Sequence, residues 1–256
     1  MDFWEFRDRI SEKYNLNLCG YKEKQLKRRI EHLMNCQGFD DFQRYFRALI
    51  TDEDQKNKFL DKLTINVSEF FRNKEIFDRL EGEVIPLLIN RKSGNLRIWS
   101  AACSNGAEPY SIAIILDKYQ GNIHTIDATD IDERVLMEAK EAKYRKELIK
   151  GVSEERLKNY FTPIGDLYQL KDFIKNRVSF KKHDLLRDKF DKDYDLIVCR
   201  NVTIYFTKET QDFLYKSFAA SLKPGGILFI GATESILNYR QLGFEKISPW
   251  FYQKPF

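Results

Sequence analysis

The chain has 256 residues, of which 43% are hydrophobic, and this is enough for one large core and a smaller second domain. No apolar run approaches the length of a membrane-spanning helix, the N-terminus mixes acidic and basic residues unlike a signal peptide, and the four scattered cysteines form no CxxC pair. These features predict a protein of the reducing cytosol without direct membrane insertion, and they argue against a zinc site or a disulfide framework. The net charge of +4 argues against a broad nucleic-acid groove.

The N-terminal part of the chain, residues 2–62, shows amphipathic helical patterns and no convincing strand. Within it, the stretch YKEKQLKRRI (21–30) holds five basic residues against one acidic residue. An apolar stripe at helical spacing consists of Leu26, Ile30, Leu33 and Met34. The opposite side of this helix carries Lys24, Lys27 and Arg28. This basic face is either an ordinary solvated surface or a docking site for an acidic partner, and the pattern favours neither.

From residue 95 onward, short apolar stretches alternate with helical segments. The predicted strands are LRIWSAA (96–102), HTIDATD (124–130), RVSFKKHD (177–184), YDLIVCR (194–200) and GGILFIGAT (225–233). Their alternation with helices predicts a parallel, doubly wound α/β sheet, and GFEKISPWFYQKPF (243–256) predicts an antiparallel hairpin on its edge. The 48 residues from Asp130 to Val178 exceed an ordinary crossover, and the excess predicts a small inserted β-hairpin around a Pro-Ile-Gly-Asp turn.

The turn after the first predicted strand, WSAACSNGAEPYS (99–111), contains a single glycine. A dinucleotide fold would show GxGxxG here and a P-loop would show GxxxxGK[ST], so NAD and ATP are poor candidates. A ligand without phosphates fits better, and S-adenosylmethionine is such a ligand. Its ribose calls for a carboxylate at the tip of the second strand, where Asp130 stands 24 residues beyond Gly106. Its methionine end calls for an acceptor near the loop, where Glu108 stands.

These two acidic residues also have structural interpretations. Asp130 could cap the next helix, and Glu108 could favour a helix N-terminus. Taken together and in this order, they favour a methyltransferase.

The segment after the fourth predicted strand, CRNVTIYF (199–206), bears on the methyl acceptor. It lacks the Asn/Asp-Pro-Pro-Tyr/Phe pattern of enzymes that methylate amino groups. A carboxylate acceptor is already ionised at neutral pH, so it needs orientation and no general base. An arginine fork and a tyrosine hydroxyl suit that task. The three histidines form no evident dyad, and His183 is interpreted as structural.

Three stretches resemble the CheR family of chemotaxis receptor glutamate methyltransferases: TINVSEFFR (64–72), WSAACSNGAEPYSIA (99–113) and CRNVTIYF (199–206). ATDIDERVLMEAK (128–140) and GATES (231–235) add to a resemblance that spans nearly the whole chain. It implies an α/β fold with a doubly wound, Rossmann-like class I S-adenosylmethionine-dependent methyltransferase sheet and an inserted small antiparallel β-subdomain, preceded by a small all-α domain. The implied limits are 1–70 for a helical docking domain, 71–94 for a linker and connecting helix, and 95–256 for the methyltransferase domain, with the insertion at about 150–177.

The resemblance also implies the roles of single residues. The implied cofactor-binding residues are Asn66, Ser68, Arg72, Ala102, Glu108, Asp130, Asp184, Leu185, Arg200 and Asn201. Arg72 and Tyr205 are the implied catalytic residues, and no metal is expected. The family loop commonly reads Cys-Ser-Thr-Gly-Glu-Glu-Pro-Tyr-Ser, from which this chain departs at Asn105 and Ala107, and Asp184 stands where asparagine is common. We expect cofactor binding with altered affinity.

The family implies S-adenosylmethionine as cofactor, S-adenosylhomocysteine as product and the cytoplasmic methylation region of chemoreceptors as partner. The basic face of Lys24, Lys27 and Arg28 would dock on the receptor. We expect a cytoplasmic monomer that binds no nucleic acid. The short turn TPIGD favours recognition without a receptor tether. Two alternatives stay open, namely a non-catalytic module that senses S-adenosylmethionine or S-adenosylhomocysteine, and a methyltransferase of another protein or of a small carboxylate.

Overall fold

The computed structural model describes residues 1–63, 68–92, 94–119 and 124–256. The chain divides into two compact units. The described residues up to Leu63, together with Tyr205–Phe213, form the first unit, and the described residues from Ser68 to Ile204, together with Leu214–Phe256, form the second. Asn66, predicted to bind the cofactor, lies outside the described residues.

The first unit is helical, as its sequence pattern predicts. Its helices are α1 (Phe3–Tyr14), α2 (Glu23–Cys36), α3 (Phe42–Thr51) and α4 (Glu53–Leu63). Asp2 and Asp41 begin α1 and α3 by accepting hydrogen bonds from backbone N–H groups of the first turn. The core of the unit combines aliphatic and aromatic side chains, with the Phe6 ring stacked on Tyr45 at 5.7 Å between ring centroids.

The basic helix α2 has the two faces that its spacing predicts. Its buried face consists of Leu26, Ile30, Leu33 and Met34. Lys24, Lys27 and Arg28 are all exposed. A short β-bridge joins Tyr21, just before α2, to Phe206, and the Lys22 N–H donates to the Tyr205 carbonyl oxygen at 2.8 Å. Residues 205–213 therefore belong to the same compact unit as the helix that carries the basic face.

The second unit contains the predicted parallel sheet. Its helices are α5 (Lys74–Arg79), which continues through a π-helical turn (Leu80–Val84) into α6 (Ile85–Lys92), then α7 (Ala107–Leu116), α8 (Glu133–Glu141), α9 (Glu154–Tyr160), α10 (Asp172–Lys175) and α11 (Lys208–Ser221), whose first turns belong to the first unit. Its strands are β1 (Arg97–Ala101), β2 (Thr125–Asp130), β3 (Lys143–Arg145), β4 (Phe161–Ile164), β5 (Leu167–Leu170), β6 (Val178–Lys182), β7 (Tyr194–Cys199), β8 (Leu222–Ile230), β9 (Glu245–Lys246) and β10 (Phe251–Gln253). No described helix is long and apolar enough to span a membrane.

The strand order of the central sheet is β6-β2-β1-β7-β8-β10-β9. The strands from β6 to β8 run parallel, and β10 and β9 add antiparallel to one edge, as the closing segment predicts. The chain order reverses between β1 and β7, because β2 lies on one side of β1 and β7 on the other. In open α/β sheets, ligands bind beyond the carboxyl ends of the strands at such a switch point.

A separate three-stranded antiparallel sheet has the order β3-β5-β4. The predicted hairpin is confirmed, since β4 and β5 pair across a turn in which Gly165 has a φ of 58°. The third strand, β3, was not predicted. It has only three residues and follows α8 through Ala142, which takes the left-handed conformation (φ 55°) without being a glycine.

Candidate active site

The loop between β1 and α7, residues 102–106, lies at the switch point of the sheet. Ala102 (φ 61°) and Ser104 (φ 51°) take the left-handed conformation, which is costly for residues with a Cβ. Hydrogen bonds to the tip of β2 hold this backbone: the Cys103 N–H donates to the Thr129 carbonyl oxygen and the Ser104 N–H to Asp130 Oδ2, both at 2.8 Å. Strain held by the surrounding structure is typical of ligand-binding loops.

Gly106 is needed for packing inside the protein. It begins α7 with a φ of 81°, and a Cβ there would lie 2.9 Å from the Ala139 Cβ and 3.2 Å from the Phe180 ring. Its open side therefore faces α8 and β6. The single glycine of this nucleotide-type turn therefore serves packing within the protein.

Asp130 is only 6% exposed and fastens the loop to β2. Its Oδ2 accepts the Ser104 N–H, and its Oδ1 accepts the Asp132 N–H at 3.0 Å. Burial raises the pKa of this carboxyl group, and the backbone donors oppose that shift. The N-cap of α8 is Asp132, so the interpretation of Asp130 as the cap of that helix is wrong.

Glu108 and Arg200 form a buried ion pair at 3.4 Å. Glu108 lies in the first turn of α7, where the Ser100 hydroxyl donates to its Oε1 at 2.8 Å. Arg200 follows β7 directly, and its guanidinium lies over the rings of Phe77 (5.1 Å) and Phe229 (4.8 Å). Burial raises the pKa of Glu108 and lowers that of Arg200, while their mutual attraction opposes both shifts. Arg200 remains a cation, because a guanidinium keeps its proton in proteins.

The segment before α5, residues 68–73, runs beside this pair. Two aromatic residues, Phe70 and Phe71, anchor it. The Phe70 ring packs edge-on against Tyr144 of β3 (4.8 Å) and Phe161 of β4 (5.2 Å). The Phe71 N–H donates to the buried Ser111 hydroxyl at 3.0 Å.

Arg72 follows these anchors and lies near Arg200. Nη2 of Arg200 donates to the Arg72 carbonyl oxygen at 2.9 Å and to Asn73 Oδ1 at 3.0 Å. The charge of Arg72 is also close enough to contribute to lowering the pKa of Arg200. Two cations, one at the tip of β7 and one on the segment before α5, therefore lie near each other, and Arg200 also pairs with Glu108 in the first turn of α7. Such a pair suits a site that receives anionic groups.

Asp184 and Leu185 follow the end of β6. The Leu186 N–H donates to Asp184 Oδ1 at 2.8 Å, and the Asp184 N–H donates to Asp188 Oδ2 at 2.8 Å. Burial raises the pKa of Asp184. Leu185 is 7% exposed. The predicted structural role of His183 fits its position, because its Nε2 lies 3.3 Å from the Lys189 carbonyl oxygen.

Three buried polar atoms around the loop have no hydrogen-bond partner among the described residues: Ser104 Oγ, Asp184 Oδ2 and Arg200 Nε. Buried polar groups are normally paired, so these atoms point to a ligand with polar groups of its own. A donor of hydrogen bonds would suit Asp184 Oδ2, and an anion would suit Arg200 Nε. S-Adenosylmethionine carries both, in its adenine amino group and its carboxylate, so the residues present fit this cofactor.

Glu234 is a buried residue whose role the sequence did not reveal. Its Oε1 accepts hydrogen bonds from the Val202 and Thr203 N–H groups and the Thr203 hydroxyl, and its Oε2 accepts from the Asn201 and Gly231 N–H groups. Asn201 takes the left-handed conformation (φ 60°) under this constraint. Glu234 stands in GATES, a stretch that supports the family resemblance. Its sequence does not indicate which backbone N–H groups the Glu234 carboxylate binds.

Tyr205, predicted to be catalytic, belongs to the first unit. It is half-buried, and the Arg29 guanidinium carbon lies 4.9 Å from the centre of its ring. Its neighbour Phe206 is the core residue of the two, with 4% exposure and an edge-on contact to Tyr21 at 4.9 Å.

Two kinds of chemistry find no support in the described part of the chain. Burial raises the pKa of the Cys103 and Cys199 thiols well above the usual range, so neither supplies a thiolate at neutral pH. No group of three or more His, Cys, Asp or Glu side chains with metal-binding geometry occurs among these residues.

Comparison with known proteins agrees with this geometry. Residues 66–250 match the family described as "CheR methyltransferase, SAM binding domain", and residues 1–64 match "CheR methyltransferase, all-alpha domain". A chemotaxis protein methyltransferase of Listeria monocytogenes is 40% identical over 99% of this chain and 97% of its own length. The proteins of the same name from Borreliella burgdorferi and Escherichia coli are 35% and 32% identical, over 96% and 88% of this chain and 91% and 81% of their own lengths.

The doubly wound sheet, the loop at its switch point and the matched binding domain define an S-adenosylmethionine-dependent methyltransferase. The all-α domain at the N-terminus narrows the class further. The chain belongs to the CheR methyltransferase family.

Substitution Glu234→Gln should weaken cofactor binding about tenfold or more. The amide keeps one acceptor oxygen and turns an NH2 group toward backbone donors, and hydrogen bonds to charged groups contribute roughly 1.5–3 kcal/mol each. Calorimetric titration with S-adenosylhomocysteine measures the effect, at a temperature below the melting transition of the variant. Glu245→Gln, at an exposed position of β9, is the matched control. A folded Glu234→Gln protein that binds within about twofold of wild type would show that the 201–203 turn holds without this carboxylate.

Proposed function

We propose that this protein transfers the methyl group of S-adenosylmethionine to glutamate side chains of chemoreceptors, giving glutamate methyl esters. It would act as a monomer in the cytoplasm. The observation that carries the proposal is the proximity of two arginines, Arg72 and Arg200, of which Arg200 pairs with Glu108 in the first turn of α7. One cation would match the carboxylate of the cofactor and the other the carboxylate of the acceptor. The shared name of the relatives, "Chemotaxis protein methyltransferase", supports this choice of acceptor.

The cofactor would be held by the residues around the loop. Asp130 would accept hydrogen bonds from the ribose hydroxyls, since each of its oxygens has a lone pair left beside its backbone donor. Ala102, Ser104 and Glu108 would border the methionine part, and Asn201 would face it from the tip of β7. Asp184 Oδ2 would accept from the adenine amino group, with Leu185 as an apolar neighbour. Aspartate can therefore serve at a position where the family commonly has asparagine.

A glutamate acceptor needs little chemical activation. When bound, S-adenosylmethionine supplies a methyl group on a sulfonium, which passes to a carboxylate oxygen and leaves S-adenosylhomocysteine. The glutamate is ionised at neutral pH, so no proton has to be removed. The protein has to orient the carboxylate and shield it from water, and positioning of this kind can contribute on the order of 7 kcal/mol or more. We assign this task to Arg72, with Ser68 on the same segment, and the proposed catalytic role of Tyr205 rests on the family resemblance.

The basic face of α2 is the proposed receptor contact. Among the described residues, Lys24 and Arg28 form no ion pair, and Lys27 has a long contact of 3.9 Å to Glu31 and lies 5.9 Å from the centre of the Phe3 ring. These three exposed cations would attract an acidic helical surface of the receptor and speed its association with the protein.

Recognition without a receptor tether is the expected mode. A tether peptide would add as a strand to an edge of the small sheet. Strand β4 lies at such an edge and contains Pro163, which has no N–H group to donate. Together with the short Gly165 turn, this supports docking through α2.

The decisive experiment incubates the protein with cofactor labelled in the methyl group and with cytoplasmic fragments of chemoreceptors. We expect label in the fragment that alkali releases as methanol, because methyl esters hydrolyse in base and methylamines do not. Fragments with glutamine in place of the candidate glutamates are the control. Binding of cofactor without transfer would indicate the sensing module, and transfer to other acceptors alone would indicate a different substrate.

Arg72→Ala should lower kcat about a hundredfold while cofactor affinity and melting temperature change little, because the acceptor carboxylate loses its paired cation. Arg72→Lys should recover only part of the rate, since it keeps the charge and loses the fork. Arg145→Ala, at an exposed position of β3, is the matched control. A protein that melts early but turns over normally at low temperature would show instead that Arg72 is a structural clamp.

Replacement of Lys24, Lys27 and Arg28 by glutamine should raise KM for the receptor about fivefold and flatten its dependence on salt. The cofactor affinity should stay unchanged. The matched control replaces the exposed Lys143, Lys146 and Lys150. An unchanged KM at low ionic strength would identify the basic face of α2 as an ordinary solvated surface.

A further inference from the structure

Asn105 is one of the two positions at which the cofactor loop departs from the common family pattern. Its side chain makes two hydrogen bonds. Oδ1 accepts the Ala107 N–H at 3.2 Å, which stabilises the start of α7. Nδ2 donates to the Ser68 carbonyl oxygen at 3.3 Å, which joins the loop to the segment that leads to Arg72.

A third contact fixes the backbone of Asn105 from the opposite direction. The Tyr144 hydroxyl donates to the Asn105 carbonyl oxygen at 2.8 Å. Tyr144 is 2% exposed, and burial raises the pKa of its hydroxyl, so it remains a donor. Its ring also packs against Phe70. Asn105 is thus held by the small sheet while its side chain reaches Ser68.

The contact with Ser68 complements the aromatic anchors of the segment. The Phe70 N–H donates to the Leu148 carbonyl oxygen at 2.8 Å, and the Phe71 N–H donates to Ser111. These bonds fix the middle of the segment. Arg200 holds its end at the Arg72 carbonyl oxygen, and the Asn105 amide holds its start at Ser68. A displacement of about 1 Å at a reacting group can reduce a rate as much as a hundredfold.

We propose that Asn105 is a positioning residue, which fixes Ser68 against the cofactor loop and thereby sets where Arg72 meets the acceptor carboxylate. The inference rests on the proposed function, because it assigns the acceptor to Arg72. It predicts that loss of the amide donor affects turnover more than cofactor affinity. A merely structural role would lower both in proportion to the folded fraction.

The discriminating variant is Asn105→Asp. The carboxylate keeps an acceptor for the Ala107 N–H at the positive end of α7, but it has no donor for the Ser68 carbonyl oxygen. We expect kcat for receptor fragments to fall about tenfold while the cofactor dissociation constant stays within about twofold of wild type. Tyr144→Phe, which keeps the ring against Phe70, should lower kcat in the same direction. Asn159→Asp, at an exposed position of α9, is the matched control.

Hydrogen exchange of the Phe70 and Phe71 amides, measured with S-adenosylhomocysteine bound, gives a readout that needs no receptor. We expect faster exchange in Asn105→Asp than in wild type and in Asn159→Asp. Unchanged exchange and kcat would overturn the inference, as would a loss of kcat and cofactor affinity that only follows the fraction unfolded. If the wild-type protein transfers no methyl group to receptors, the proposed function fails, and the exchange rates alone decide whether Asn105 positions the segment.

Discussion

The site depends on the buried contact between Glu108 and Arg200. Two ions with almost no exposure to water pay a large desolvation cost, so each needs its partner and further hydrogen bonds. The Ser100 hydroxyl donates a hydrogen bond to Glu108, and the Arg72 carbonyl oxygen accepts one from Arg200. The pair therefore links the start of α7, the tip of β7 and the segment before α5. Loss of either partner would strand a charge in the interior, at a cost of roughly 3–5 kcal/mol.

Several strained backbone positions surround this contact, and each has an identifiable restraint. Asp130 holds Ser104, and Glu234 holds Asn201, in both cases by a carboxylate that accepts backbone N–H groups. Carboxylates are suited to this because they are acceptors only and can take several donors at once. The loop between β1 and α7 therefore keeps Ala102 and Ser104 in the left-handed conformation although it contains a single glycine. A ligand without phosphates does not require the close backbone approach for which dinucleotide folds use glycine.

Much of this architecture could be predicted from the sequence. Strands β7 and β8 contain the apolar runs LIVC and ILFI, and α2 has a clear apolar stripe, so the local pattern identifies them. Strand β3 has three residues and no flanking turn signal, which is too short for a period to appear. Asp130 and Glu108 stand at fixed distances from a recognisable turn, whereas Glu234 acts through backbone groups some thirty positions away along the chain, between Asn201 and Thr203. Contacts of that kind depend on tertiary packing and leave no local pattern.

The position of Tyr205 shows most clearly what sequence motifs leave out. CRNVTIYF is one continuous motif, yet Arg200 belongs to the second unit and Tyr205 to the first. The motif therefore carries a charge fixed in the interior of the sheet domain and, five residues on, a ring that rests against Arg29 of the basic helix. Arg29 is adjacent in the chain to the exposed Arg28. Because the helix that carries the exposed basic face also supports this ring, substitutions in α2 act on two separate features, the surface charge of the helix and the packing around Tyr205. Under the proposed function, the first feature bears on KM for the receptor and the second on kcat.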